Sequence, residues 1–186
     1  PAGIGLESTV VEIIGDKKIN ILRPGGILLA QLREVAEEVT VDPHLELSVR
    51  FQHGEPVFQP RSPGMKYRHY APKGTLRMVK GKDAEQVRRY IQHAVNEVRQ
   101  SGEKTGILTF EDHLHAYDAD VVIPCGNSGK LEQTARELYG ALRALDAEGV
   151  TQIWSDLLNV PHDPEGIGFA LVNRLLKAAG GQVLEI

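Results

Sequence analysis

Cysteine is nearly absent: the 186-residue chain has one, Cys125. A single thiol excludes an intrachain disulfide framework and a zinc site built on cysteines, and a reducing, cytoplasmic setting is expected. Long apolar runs are missing as well. None approaches the roughly 20 residues of a membrane span, and the start of the chain lacks the basic-then-apolar layout of a signal peptide, so no membrane partner is expected. Basic side chains do not predominate: 21 Lys and Arg stand against 25 Asp and Glu, a net charge of -4. That balance removes the long-range attraction of a dedicated nucleic-acid binder. The sequence has no internal repeat and no low-complexity segment.

What is present is an ordinary globular composition, 41% hydrophobic and 25% charged, which supports a packed core. Ser8 to Ile13 is rich in β-branched residues, Gly15 to Lys18 makes a turn, and Ile19 to Leu22 returns as a second strand. Arg23-Pro24-Gly25-Gly26 breaks that strand. Leu28, Leu29, Leu32, Val35 and Ala36 follow at helical spacing before Val39 and Val41 resume an extended pattern. Residues 1–41 thus read as a β-β-α-β unit, too small to be stable alone.

Residues 42–75 read as a linker, because five of the ten prolines (43, 56, 60, 63 and 72) fall there and no apolar period argues for a regular element. It interleaves Phe58, Met65, Tyr67 and Tyr70 with Arg61, Lys66, Arg68, His69 and Lys73. A flexible spacer would be richer in Gly and Ser.

From 76 to 186 strands and helices alternate. The strands are Leu76 to Val79, Gly106 to Phe110, Asp120 to Pro124, Gln152 to Ser155 and Val183 to Ile186. The helices are one through Val87 and Val98 with Asp83 as N-cap and Gly102 at its end, one from Lys130 to Glu148, and one from about Glu165 to Ala179. Parallel crossovers of this length predict a doubly wound α/β domain with functional loops at the strand ends: Phe110 to His115, Cys125 to Gly129 and Asp156 to His162.

Four groups of residues invite a chemical reading. Glu111, Asp112, His113, His115, Asp118 and Asp120 contain metal-ligand types, but two histidines at i, i+2 without a defined third ligand do not make a site, and a solvated loop accounts for them. Asn127-Ser128-Gly129-Lys130 offers a helix start to an anion without the glycine spacing of a phosphate loop. Pro164-Glu165-Gly166-Ile167-Gly168 is read as helix-on-sheet packing ahead of anion binding. Ser8 and Thr9, with Arg23 on the partner strand, bring two hydroxyls and a guanidinium to one hairpin edge, a set suited to polar and anionic groups.

Three strings carry a family resemblance: Gly5-Leu6-Glu7-Ser8-Thr9-Val10-Val11, Ile21-Leu22-Arg23-Pro24-Gly25, and the specific Ser62-Pro63-Gly64-Met65-Lys66-Tyr67-Arg68-His69-Tyr70-Ala71-Pro72. With Gly166, Gly168, Ala170, Asn173, Arg174 and Leu175 in the last helix, the chain resembles the long, two-domain form of threonylcarbamoyl-AMP synthase. The resemblance implies the carboxyl-terminal part of a YrdC-like catalytic domain at 1–41, an interdomain linker at 42–75 and a Rossmann-like accessory domain at 76–186. It implies a nucleotidyltransferase that joins L-threonine, bicarbonate and ATP into threonylcarbamoyl-AMP with release of pyrophosphate, normally helped by Mg2+. The product serves tRNA modification, and tRNA is met only indirectly, through downstream machinery.

Residue by residue, the resemblance implies L-threonine contacts for Ser8 and Thr9, ATP contacts for Arg23, Tyr67 and, as second choice, Tyr70, and a linker gate of Lys66, Arg68 and His69. It assigns no individual catalytic residue and no protein-held metal. Glu12 stands where the family has Asp. The family's first stretch, with its basic pair and Ser-x-Asn motif, has no counterpart here, so the chain is expected to be a carboxyl-terminal piece without synthase activity by itself. Two other readings stand beside this one: a regulatory small-ligand or protein-binding module at 76–186, and a linker that contacts RNA through Arg61, Lys66, Arg68 and Lys73.

Overall fold

The computed structural model of the chain describes residues 5–43, 45, 70–160 and 165–186. Its strands fall into two sheets, one of three strands and one of five.

In the smaller sheet, β1 (Val10–Ile14) and β2 (Lys18–Arg23) pair antiparallel across a turn in which Gly15 takes the left-handed conformation, with φ +63°. A short helix α1 (Leu29–Arg33) then returns the chain to β3 (Glu38–Val41), which pairs parallel with β2. The expected β-β-α-β order holds, with the strand ends displaced by a residue or two. The helix is shorter than its apolar spacing suggests. Register explains this: Glu37 and Glu38 both donate backbone N–H bonds to Lys17 O, so the chain must turn at residues 34–37, and Val35 is left exposed.

Among the described residues Ile21, Leu29, Leu32 and Leu45 form a small core, against which strand side chains such as Val11 and Val39 and Phe169 from the last helix are packed. Leu45 corrects the reading of 42–75 as free of regular structure. Pro43 and Leu45 have helical backbone, and Leu45 N donates to Asp42 O at 2.8 Å. Proline suits a first helical turn, where its missing N–H is not needed.

The larger sheet has the order β6-β5-β7-β4-β8 with every pair parallel. Its strands are β4 (Thr75–Lys80), β5 (Thr105–Thr109), β6 (Val121–Pro124), β7 (Gln152–Ser155) and β8 (Val183–Glu185). Helix α2 (Ala84–Gln100) lies on one face, where Val87, Ile91 and Val95 meet Val79, Ile107 and Trp154. Helices α3 (Leu131–Ala147) and α4 (Ile167–Ala178) cover the other, where Leu138, Leu142, Leu171 and Leu175 meet Met78, Leu108 and Ile153. Alternate strand residues feed opposite cores, as the period of two requires. This is the doubly wound, Rossmann-like arrangement expected of 76–186.

The caps follow the sequence. Asp83 accepts from Glu85 N and Gln86 N at the start of α2, and Gly102, φ +79°, lies just past its Ser101 C-cap. The segment between β5 and β6, expected as a loop, contains a 3₁₀ helix, Glu111–Ala116. Among the described residues no helix is long and apolar enough to cross a membrane.

Candidate functional site

The hairpin edge is built by the Arg-Pro-Gly-Gly break. Pro24 cannot donate to a ladder, and a Cβ on Gly25 would run into the backbone of Glu7 and Ser8, so only glycine lets the bend press against the strand entering β1. Gly26 N donates to Glu7 O at 3.0 Å and closes the bend. Beside it the β1–β2 register slips: Val10 pairs with Arg23 and Val11 with Ile21, so Leu22 is the extra residue of a bulge next to Arg23.

The structure brings Ser8, Thr9 and Arg23 together as the sequence suggested. Arg23, buried, donates from Nη2 to Ser8 O (2.9 Å) and Ser8 Oγ (3.2 Å), and from Nε to Ser8 O (3.2 Å). The Thr9 hydroxyl is spanned by the bend: it donates to Ile27 O at 2.7 Å and accepts from Ile27 N at 3.0 Å. Thr9 thus shapes the edge, while Ser8 is exposed beside the guanidinium. A shallow crevice opens here between Thr9, Pro24 and Leu28 on one side and Glu165, Phe169 and Ala170 on the other.

Three residues given no separate role in the sequence reading complete this edge. Glu7 Oε2 lies 3.3 Å from Arg23 Nη1 and 3.0 Å from Nη2 of Arg174 on α4. The same Arg174 nitrogen donates to Pro24 O at 3.1 Å, and Nη1 donates to Asn173 Oδ1 at 3.0 Å. One turn further, the Nζ of Lys177 is buried and has no hydrogen-bond partner among the described residues. Burial, and then the neighbouring Arg174 and Arg23, push its amine down to about 8 against the favourable pull of Glu7. The one available signal is Asn173-Arg174 in a helix whose only other polar side chain is Lys177.

Tyr70, expected as a nucleotide contact, sits at the same junction. Its hydroxyl donates to Glu7 Oε1 at 2.9 Å, and its carbonyl accepts from Arg143 Nη2 at 3.2 Å. The ring meets Tyr139 edge-on at 5.4 Å, and the backbone is left-handed, φ +75°. Burial and then the Glu7 carboxylate hold the phenol above its ordinary range. Lys66, Tyr67, Arg68 and His69 lie outside the described residues.

A second polar cluster stands at the carboxyl ends of the larger sheet. His113 Nδ1 is 2.9 Å from Asp156 Oδ2, and the Tyr117 hydroxyl donates to the same oxygen at 3.0 Å. Asp156 is 4% exposed, and its Oδ1 has no hydrogen-bond partner among the described residues. The hydrogen bond to Asp156 raises the His113 pKa, against a smaller desolvation effect. Burial and then Asp156 move Tyr117 upward. Strand β7 leads to α4 on one face, while β4 leads to α2 on the other, which is where open α/β sheets offer a crevice.

The other candidates resolve into structural roles. Because β5 and β6 are parallel, the chain between them must travel back along the sheet. Glu111, Asp112 and His113 therefore stand at one end of the strands and Asp118 and Asp120 at the other, where Asp120 Oδ2 accepts from Thr105 N at 2.8 Å and both acids pair with Arg99. No metal-holding group of three or more His, Cys, Asp or Glu exists among the described residues. At Asn127–Lys130 the place of an anion is taken by Asp112, whose carboxylate accepts from Ser128 N at 3.1 Å and from its hydroxyl. Gly166 and Gly168 open α4 where Glu165 pairs with Arg33 and Phe169 enters the small core, which is a packing role.

A family model described as "Threonylcarbamoyl-AMP synthase, C-terminal domain" matches residues 27–180. The threonylcarbamoyl-AMP synthase of Bacillus subtilis (strain 168) is 40% identical over 185 residues, covering 99% of this chain and 48% of the relative. That of Pyrococcus abyssi is 34% identical over 183 residues, covering 98% and 48%. The crystal structure of P. abyssi Sua5 complexed with L-threonine is similar with a TM-score of 0.77 at 34% identity, covering 99% of this chain and 48% of that one. The chain spans about half the length of the curated relatives it matches. It belongs to the threonylcarbamoyl-AMP synthase family and corresponds to the carboxyl-terminal part of its members.

Proposed function

We propose that this chain is the carboxyl-terminal part of an L-threonylcarbamoyladenylate synthase, a nucleotidyltransferase acting in the cytoplasm in the tRNA threonylcarbamoyladenosine pathway. The observation that carries the reading is the hairpin edge. A guanidinium is held by Ser8 and Glu7 beside a glycine bend, in a chain of this family. The solved P. abyssi relative complexed with L-threonine supports an L-threonine site in the whole protein.

In this reading the threonine amine takes up CO2 from bicarbonate as a carbamate, with loss of water. A carbamate oxygen then attacks the α-phosphorus of ATP, and pyrophosphate leaves. The chain's own part is positioning and charge neutralisation. Ser8, with Thr9 shaping the strand beneath it, meets L-threonine. Arg23 meets the nucleotide together with Tyr67, and Tyr70 anchors the linker end to Glu7. Lys66, Arg68 and His69 gate the cleft. Mg2+ is bound chiefly through substrate phosphates in such chemistry. The threonylcarbamoyl group passes afterwards to an adenosine beside the tRNA anticodon.

The test takes the protein as its gene encodes it and measures pyrophosphate release from ATP with and without L-threonine and bicarbonate. Release that requires both is expected; none from folded protein overturns the reading. The 186-residue chain alone is expected to be inactive.

A second reading, that residues 76–186 bind a small ligand or a protein and regulate the catalytic part, is favoured by the His113–Asp156–Tyr117 cluster at the strand ends. Arg23→Ala or Tyr67→Phe damages nucleotide handling under the first reading. Under the second alone, only changes at the strand ends have consequences.

A further inference from the structure

Arg174 is charged and 3% exposed, in a helix whose other inward residues are mostly apolar. Burying a guanidinium is costly unless its donors are matched; here both terminal nitrogens are matched, while Nε has no hydrogen-bond partner among the described residues. Two of the matches lie outside its own sheet: Nη2 reaches both Glu7 Oε2 and Pro24 O. These acceptors flank Arg23 in sequence and space. Pro24 follows it directly, and the oxygen that Arg174 holds is the one 3.3 Å from Arg23 Nη1. Tyr70, where the linker ends, holds the other oxygen of the same carboxylate.

We propose that Arg174 is a positioning residue for Arg23: by gripping Glu7 and the Pro24 carbonyl together, helix α4 of the accessory domain fixes the guanidinium that meets the nucleotide. This rests on reading Arg23 as a nucleotide contact. Arg23 is tethered through three nitrogens to Ser8 and Glu7, and without Arg174 the Glu7 carboxylate loses the partner that holds it from behind. Nucleotide binding and docking of the accessory domain then depend on one shared carboxylate.

The first arm of the test uses the protein as its gene encodes it, with Arg174→Met, which preserves length and apolar packing, Arg174→Lys, Glu7→Gln and the Arg174→Met/Glu7→Gln pair. The KM for ATP is expected to rise at least about tenfold in Arg174→Met while the KM for L-threonine changes less than about twofold. Arg174→Lys recovers part of the loss, because an ammonium lacks the planar fork. The double variant is expected to be no worse than the poorer single one, the mark of a shared interaction. An unchanged KM for ATP, or both KM values rising together, overturns the proposal.

The second arm uses the present chain and needs no catalysis. Amide exchange across Val10–Arg23 is expected to speed up at least about tenfold in Arg174→Met, while Ile107 and Leu108 in β5 keep their protection. Unchanged exchange at Val10–Arg23 overturns the tether. If the wild-type protein releases no pyrophosphate, the synthase reading fails, and this arm still decides whether α4 holds the hairpin edge.

Discussion

The two sheets are stabilised by different means. Buried aliphatic side chains fill both faces of the five-stranded sheet, which keeps its own helices around it. Among the described residues four buried side chains serve the three-stranded sheet, and one of the side chains packed on them, Phe169, comes from the other unit. Polar ties reach outward from the smaller unit as well: Glu7 to Arg174, Arg33 to Glu165, Tyr70 to Glu7. Apolar burial at about 25 cal/mol per Å² makes the larger unit self-sufficient. The smaller one depends on what it is docked against, and it carries the residues proposed to meet substrate.

The largest effect is expected from Leu171→Ala, which opens a cavity in the main core where Leu171 is fully buried. A loss of about 3–5 kcal/mol should appear as one cooperative urea transition of both sheets, since the smaller cannot outlast its support. A surviving signal from the three-stranded sheet would break the comparison.

Phe169→Ala sharpens it. Removing the ring that the large unit lends to the small one should destabilise the small sheet by about 2 kcal/mol. Amides of β1 and β2 would exchange about 30-fold faster while those of β5 are unchanged. Equal acceleration in both sheets would show that they unfold as one.

Asp156→Asn tests the strand-end cluster, at about 1–3 kcal/mol for a buried charged hydrogen-bond partner. The fold raises the pKa of His113. Its stabilising contribution is therefore complete below the unfolded value of about 6.5 and is lost as pH rises through the higher folded value. The deficit of the variant, read from urea midpoints, should be larger at pH 5.5 than at pH 8.5. A deficit independent of pH would remove the His113–Asp156 pair from the account.

Lys177→Met has the smallest effect and the opposite sign. The folded chain holds this amine at about 8, below the ordinary 10.4, so the unfolded chain binds more protons between those values and wild-type stability from this group rises across that window. Replacement should raise Tm at pH 7 by roughly 2–4 °C, for about 1 kcal/mol after allowance for solvent screening. The gain should shrink towards pH 10. No change at either pH would mean that solvent already meets the amine.

Local signals in the sequence were faithful where the physics is local. Asp83 and Gly102 bracket α2 because a side-chain acceptor and a left-handed glycine act within one turn. Ser8 and Arg23 meet because two strands joined by a tight turn must lie side by side. Asp118 and Asp120 stand near His113 in sequence but at the opposite end of the strands, because proximity in sequence is not proximity in space once a parallel crossover intervenes. Leu45 was hidden by the prolines around it. Glu7 and Arg174 are each visible as residues, but nothing local pairs a side chain ahead of the first strand with one on the last helix.

The hydrogen bond from Arg174 to Pro24 spans 150 residues, which sets an order of events during synthesis. At 5–20 residues per second, Arg174 leaves the peptidyl-transfer centre roughly 8–30 s after Pro24. The hairpin edge must wait that long for its last partner. A nascent chain that has not reached α4 carries both strands of the edge with their local bonds but lacks Arg174, so the grip on Glu7 and the Pro24 carbonyl is the last tie to form.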